Sequence, residues 1–116
     1  MVGARGGMAR LERGEVRMHS FAPPDKRRPV VILTRPHSIP HLGTVTVAAI
    51  TSTVRGVASE VFLDERDGLK GPCAVNLHHL TTVQRHNLGP RVAFLSADKM
   101  AEICAALGYA MGCGNA

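Results

Sequence analysis

Apolar and polar positions alternate with a period of two along most of this chain, and only the C-terminal segment changes to a helical period. In residues 14–21, Val16, Met18 and Ser20 alternate with Glu15, Arg17 and His19, which predicts a half-buried strand. Val30, Val31, Ile32 and Leu33 form an unbroken apolar run and predict a strand covered on both faces. In residues 44–50, Val45, Val47 and Ala49 take one face and Thr46, Ala48 and Ile50 the other, so burial on one side and partial cover on the other are expected. Shorter strands are expected at residues 57–63, 73–77 and 92–95, while residues 78–89 show no single period. Short strands separated by turns predict a small, strongly curved sheet or barrel.

Beyond Ser96 the pattern is helical. Met100, Ile103, Cys104, Leu107 and Met111 recur at helical spacing, with Ser96 as N-cap, Asp98 in the first turn and Gly112 and Gly114 at the end. Such a helix would bury its apolar stripe on the sheet, so the fold class is mainly β with a C-terminal α-helix. Residues 11–116 are expected to form one domain. Residues 1–10, glycine-rich with little to bury, are expected to be a disordered lead-in, within which Met8 offers a second start.

Composition narrows the partners. The 116 residues carry a net charge of +5 and a pI near 9.7, which favours a polyanion, either nucleic acid or an acidic protein. With three Phe, one Tyr and no Trp, the core must be aliphatic. No apolar run approaches the ~18 residues of a membrane span. The basic N-terminal stretch is not followed by an apolar signal core, so the cytosol is the expected compartment. Cys73, Cys104 and Cys113 are odd in number and lack metal-type spacing, so buried thiols are expected rather than disulfides, and neither a metal nor another cofactor is implied.

The candidate chemistry sits where Lys26, Arg27 and Arg28 run through Pro29 into the buried strand. Pro29 fixes its own φ and biases Arg28 toward an extended backbone, holding the guanidinium at the mouth of a rigid element. The next long strand ends in Thr51, Ser52 and Thr53, and the two strand ends are expected to lie side by side with Arg28 next to Thr51. Lys26, Arg27 and Arg55 are candidate phosphate contacts. Phe21 is the one aromatic expected in a loop, where it could stack on a base, whereas Phe62 and Phe94 are expected in the core. His78 or His79 could contribute proton transfer or a base contact, the alternative at each being a structural or solvated histidine. Glu60 could pair with an arginine of the site or face water.

In order, Arg13-Gly14-Glu15-Val16, then Arg28-Pro29-Val30-Val31-Ile32-Leu33, Val47-Ala48-Ala49-Ile50-Thr51-Ser52, Glu60-Val61, Leu88-Gly89 and the helix beginning Leu95-Ser96 resemble the MazF/PemK toxin endoribonucleases. The resemblance covers about residues 13–113. It implies an SH3-like barrel with a C-terminal helix, a homodimer and metal-independent cleavage of single-stranded RNA to a 2′,3′-cyclic phosphate and a 5′-hydroxyl. It also implies inhibition by an acidic, MazE-like cognate antitoxin. The family's two catalytic positions carry onto Arg28 and Thr51, with Ser52 beside them as an RNA contact. Two departures stand out. Residues 21–27 are shorter than the family's Gly-Ser-Glu loop, and His78-His79-Leu80-Thr81 replaces an acidic residue, Gln, an apolar residue and Arg. The alternatives are a non-catalytic toxin of the same barrel that grips a protein such as DNA gyrase, and a degenerate RNA-binding module.

Overall fold

Val30, Val31 and Ile32 are fully buried, and the two faces of their strand meet different cores. The computed structural model describes residues 11–21 and 26–113. Its strands are β1 (Glu15–Ser20), β2 (Arg27–Ile32), β3 (Thr44–Thr51), β4 (Glu60–Leu63), β5 (Cys73–Gln84) and β6 (Arg91–Phe94), followed by the helix α1 (Ala97–Met111). They form one sheet in the order β4-β5-β3-β2-β1-β6, with every neighbouring pair antiparallel. On one face Val16, Val31, Ala48, Val61, Val75 and Leu77 pack with Ile103 and Ala106 of α1. On the other, Val30, Ile32, Val45, Val47 and Val83 are closed over by Leu11 and by Ile39 of a short 3-10 turn, Ile39–His41. The run of β-branched residues in β2 is therefore central in both senses.

The loop after β4 closes on the far edge of the sheet. Although β4 and β6 stand at opposite ends of the strand order, Gly68, just after β4, lies against Ala93 of β6. A Cβ on Gly68 would stand 2.9 Å from that of Ala93, and its φ of +97° is itself a glycine conformation, so the close approach needs this residue. This is the half-barrel of an SH3-like fold with a C-terminal helix, as the sequence suggests. Ser96 caps α1 by accepting the Lys99 N–H at 3.1 Å, and Gly112 ends the helix at φ 73°.

Several expectations are corrected. Arg27 and Arg28 lie inside β2, which begins three residues earlier than the apolar run and ends before Leu33. The strand expected from residue 57 starts at Glu60, because the Glu60 carboxylate folds back to accept the N–H groups of Arg55 (2.9 Å) and Gly56 (3.1 Å). Glu60 thus neither pairs with an arginine side chain nor simply faces water. The ambiguous stretch after Leu77 continues β5 to Gln84, past a register shift in its pairing with β3. Glu15, expected on a polar face, is 3% exposed. Phe62 and Phe94, expected in the core, are 44% and 50% exposed because the strands that carry them end the sheet. Of the thiols, Cys73 is buried but Cys104 and Cys113 are exposed. In α1 the buried positions are Ile103 and Ala106, with Met111 turned to solvent. The lead-in of residues 1–10 and Gly114 lie outside the described residues.

Candidate active site

Val30 of β2 stands opposite Ala49 of β3, and Ile32 opposite Val47. That pairing ends two residues short of Arg28 and Thr51, which pair instead with His19 of β1 and Ala74 of β5. Both residues line a cleft of about 790 Å³. Its basic members are Lys26, Arg27, Arg28 and Lys70, and its hydroxyls are those of Thr51, Ser52 and Thr53. Met18, Pro29, Ile50, Leu69 and Val92 supply apolar wall, and among the described residues no carboxylate lines it. A cationic cleft with hydroxyl donors and a partly apolar wall suits a phosphodiester chain or another polyanion and repels basic groups.

The side chains differ in how firmly they are held. The Arg28 guanidinium carbon lies 5.9 Å from the centre of the Phe21 ring, a cation–π contact that gives a half-buried cation an apolar support. Thr51 Oγ1 accepts the Thr53 N–H at 3.1 Å, which uses a lone pair and leaves its O–H free to donate. Arg27, one residue from Arg28 along the strand, also lines the cleft, with its guanidinium near Gly89. Lys26, Ser52 and Lys70 are exposed.

The cleft does not gather every candidate. Arg55 is exposed in the loop after β3, outside the cleft lining. Phe21 and His79 lie beside the cleft rather than in it, joined by ring centroids 6.1 Å apart. His78 is exposed, with its backbone N–H donated to Asn76 Oδ1 at 2.9 Å. A second cavity of about 470 Å³ beside Leu11, Pro36 and Ile39 holds none of the candidates.

Sequence reasoning missed Lys70 and Cys73. The loop bearing Lys70 is anchored by Asp64, whose side chain accepts the Arg66 N–H at 2.9 Å and pairs with its guanidinium at 3.0 Å. Hydrogen bonding to Arg66 holds the Asp64 carboxyl below its ordinary range. Cys73 lies in the cleft wall with its thiol directed at the Leu63 carbonyl, 3.7 Å away. Burial, with Asp67 and Asp64 nearby, pushes that thiol's pKa up, so it stays protonated and unreactive. Only the Lys70-Gly71-Pro72 sequence, a basic residue held before a turn, hinted at this wall.

A small curved sheet with a cationic, hydroxyl-bearing cleft at neighbouring strand ends defines a binder of anionic chains. Residues 12–111 match the family model of the PemK-like, MazF-like toxins of type II toxin-antitoxin systems, and the chain belongs to that family. Endoribonuclease MazF3 of Mycobacterium tuberculosis is 44% identical over 86 residues, 74% of this chain and 84% of that protein. The solved Mycobacterium tuberculosis toxin MazF-mt6 superposes with a TM-score of 0.79 at 38% identity, covering 86% of this chain and 98% of its own. A mycobacterial endoribonuclease solved in complex with its cognate antitoxin shares the fold, with a TM-score of 0.79 at 24% identity over 89% of this chain and 96% of that one.

Proposed function

We propose that this chain is a toxin endoribonuclease that cuts single-stranded RNA in the Arg28–Thr51 cleft, without a metal ion. The observation that carries the reading is the placement of a supported guanidinium and a free hydroxyl donor in one cationic cleft, in a chain of this toxin family. A ribose 2′-hydroxyl attacks the adjacent phosphorus and the bond to the 5′-oxygen breaks, leaving a cyclic phosphate and a 5′-hydroxyl. Negative charge gathers on the non-bridging oxygens during the attack. Arg28, planar, multidentate and permanently charged, stabilises that charge, and Thr51 donates to a phosphate oxygen or holds the attacking hydroxyl. Arg28 acts as an electrostatic clamp rather than as the base, since it does not readily give up a proton. Lys26, Arg27, Ser52 and Lys70 hold flanking phosphates.

The same charge suits an acidic antitoxin, which would cover the cleft and exclude RNA. The fold-sharing complex of a mycobacterial endoribonuclease with its antitoxin supports that partner. Membership of the toxin family supports extending the proposal to a homodimer acting in the cytosol. No helix among the described residues is long and apolar enough to cross a membrane.

Incubation of purified protein with a long single-stranded RNA in EDTA tests the activity. Discrete fragments with 5′-hydroxyl ends are expected, and Arg28→Ala should lose at least ~100-fold in rate, the cost of one oxyanion donor. Intact RNA would sink the reading in favour of a binding-only toxin.

A further inference from the structure

His19 stands opposite Arg28 in the β1–β2 register, and its ring meets Phe21 edge-on, with centroids 4.7 Å apart and planes at 86°. Its Nδ1 is buried and has no hydrogen-bond partner among the described residues. Folded proteins rarely leave such an atom unpaired, because desolvation is then uncompensated. Phe21 connects three groups: its ring packs against His19, lies under the Arg28 guanidinium and tilts at 37° to His79, 6.1 Å away. A planar base held between two rings needs about 7 Å, twice the ~3.5 Å contact distance of carbon atoms. Phe21 and His79 stand about an ångström short of that spacing, and His79 is exposed, so a base enters between them as that imidazole yields.

We infer that His19, Phe21 and His79 form a seat for one unpaired nucleobase beside the phosphate held by Arg28, and that His19 Nδ1 selects the base by hydrogen-bonding its edge. The inference rests on the endoribonuclease reading above. A base entering between Phe21 and His79 shifts the Phe21 ring off the imidazole and uncovers Nδ1 to the base edge. Stacking is indifferent to which base arrives, so discrimination falls to that nitrogen. In this arrangement His19 is a specificity-determining residue, and Arg28 remains the group on the phosphate.

Mapping fragment ends on a randomised RNA pool tests the seat in the wild type, His19→Phe, His19→Asn and His19→Gln. His19→Phe keeps the aromatic contact and loses the nitrogen. It should cut with about tenfold less preference for the favoured base at one position, while its rate at disfavoured sites is kept. Asn sets a polar atom near the place of Nδ1 and should retain the preference, whereas Gln, which reaches the place of Nε2, should not. These two variants carry the test if His19→Phe fails to fold, as its melting temperature would reveal. An unchanged map for His19→Phe, an equal loss at every site, or equal behaviour of Asn and Gln would overturn the seat alone. A wild type that leaves the pool intact would overturn both the seat and the activity beneath it.

Discussion

The Glu15 carboxylate meets the Arg91 guanidinium at 3.2 Å across the β1–β6 pair, while its other oxygen accepts the Glu12 N–H at 3.0 Å and faces Arg17 Nε at 3.4 Å. This buried carboxylate joins the last strand to the first, and Pro90 and Val92, on either side of Arg91, belong to the cleft wall. Glu15→Ala would leave Arg17, 13% exposed, without its carboxylate partner, although its 2.8 Å bond to the Gly89 carbonyl stays. The expected cost is about 2–3 kcal/mol, below the range for a wholly buried pair because Arg91 keeps access to water. Urea unfolding measures it, and a loss under ~0.5 kcal/mol would show that the pair contributes little.

The buried run of β2 and the end of β3 were legible because they depend on local pattern, a β-branched run and a Thr-Ser-Thr terminus, whereas the start of β2 at Arg27 was not. The capped helix was legible for the same reason. Other features depend on pairings distant in sequence. Glu15 is buried because of Arg91, and Phe62 and Phe94 are exposed because their strands end the sheet, a matter of topology that periodicity does not encode. β5 was read too short because His78 and His79 interrupt its apolar pattern and a register shift lies in its pairing with β3. His19 was read merely as a polar-face residue, since nothing local signals the cluster formed with Phe21 and His79.

Thr51 gives a contrast within one side chain. Its oxygen accepts the Thr53 N–H, so the role assigned to it on RNA is donation. Thr51→Ser keeps both functions and should stay within about tenfold of wild-type kcat/KM, while Thr51→Ala should lose roughly 100-fold. Single-turnover cleavage of a fluorescent oligonucleotide distinguishes them. Equal rates for Ser and Ala would remove the hydroxyl from the mechanism.

The three thiols should separate by reactivity. Cys104 and Cys113 are exposed, whereas Cys73 is buried with its pKa raised. Iodoacetamide near pH 8 should modify the first two and leave Cys73 until the protein unfolds, as peptide mass mapping would show. In the unfolded chain the Cys73 thiol ionises at a lower pH than in the folded one. The unfolded state therefore loses this proton first as pH rises, and the Cys73 contribution makes stability fall above about pH 8.5. Cys73→Ser should flatten that slope; a slope unchanged by the substitution would assign it to other groups.

Lys70 tests whether the cleft grips RNA mainly through its phosphates. Among the described residues, four cations, Lys26, Arg27, Arg28 and Lys70, line the cleft and no carboxylate does. If each displaces a condensed counterion from single-stranded RNA, log Kd should rise with log salt at a slope of roughly 3, weakening binding about 50-fold between 50 and 200 mM. Lys70→Gln removes one charge from an exposed side chain and should lower the slope by about 0.7, with equal effect on every RNA sequence. Cleavage should follow the same course, KM rising and kcat staying, because Lys70 is assigned a flanking phosphate and serves only to hold the strand. Fluorescence anisotropy across a salt series on the uncleavable 2′-deoxy analogue separates binding from cutting. A slope identical to that of the wild type would place the RNA path elsewhere and return this wall of the cleft to a structural role.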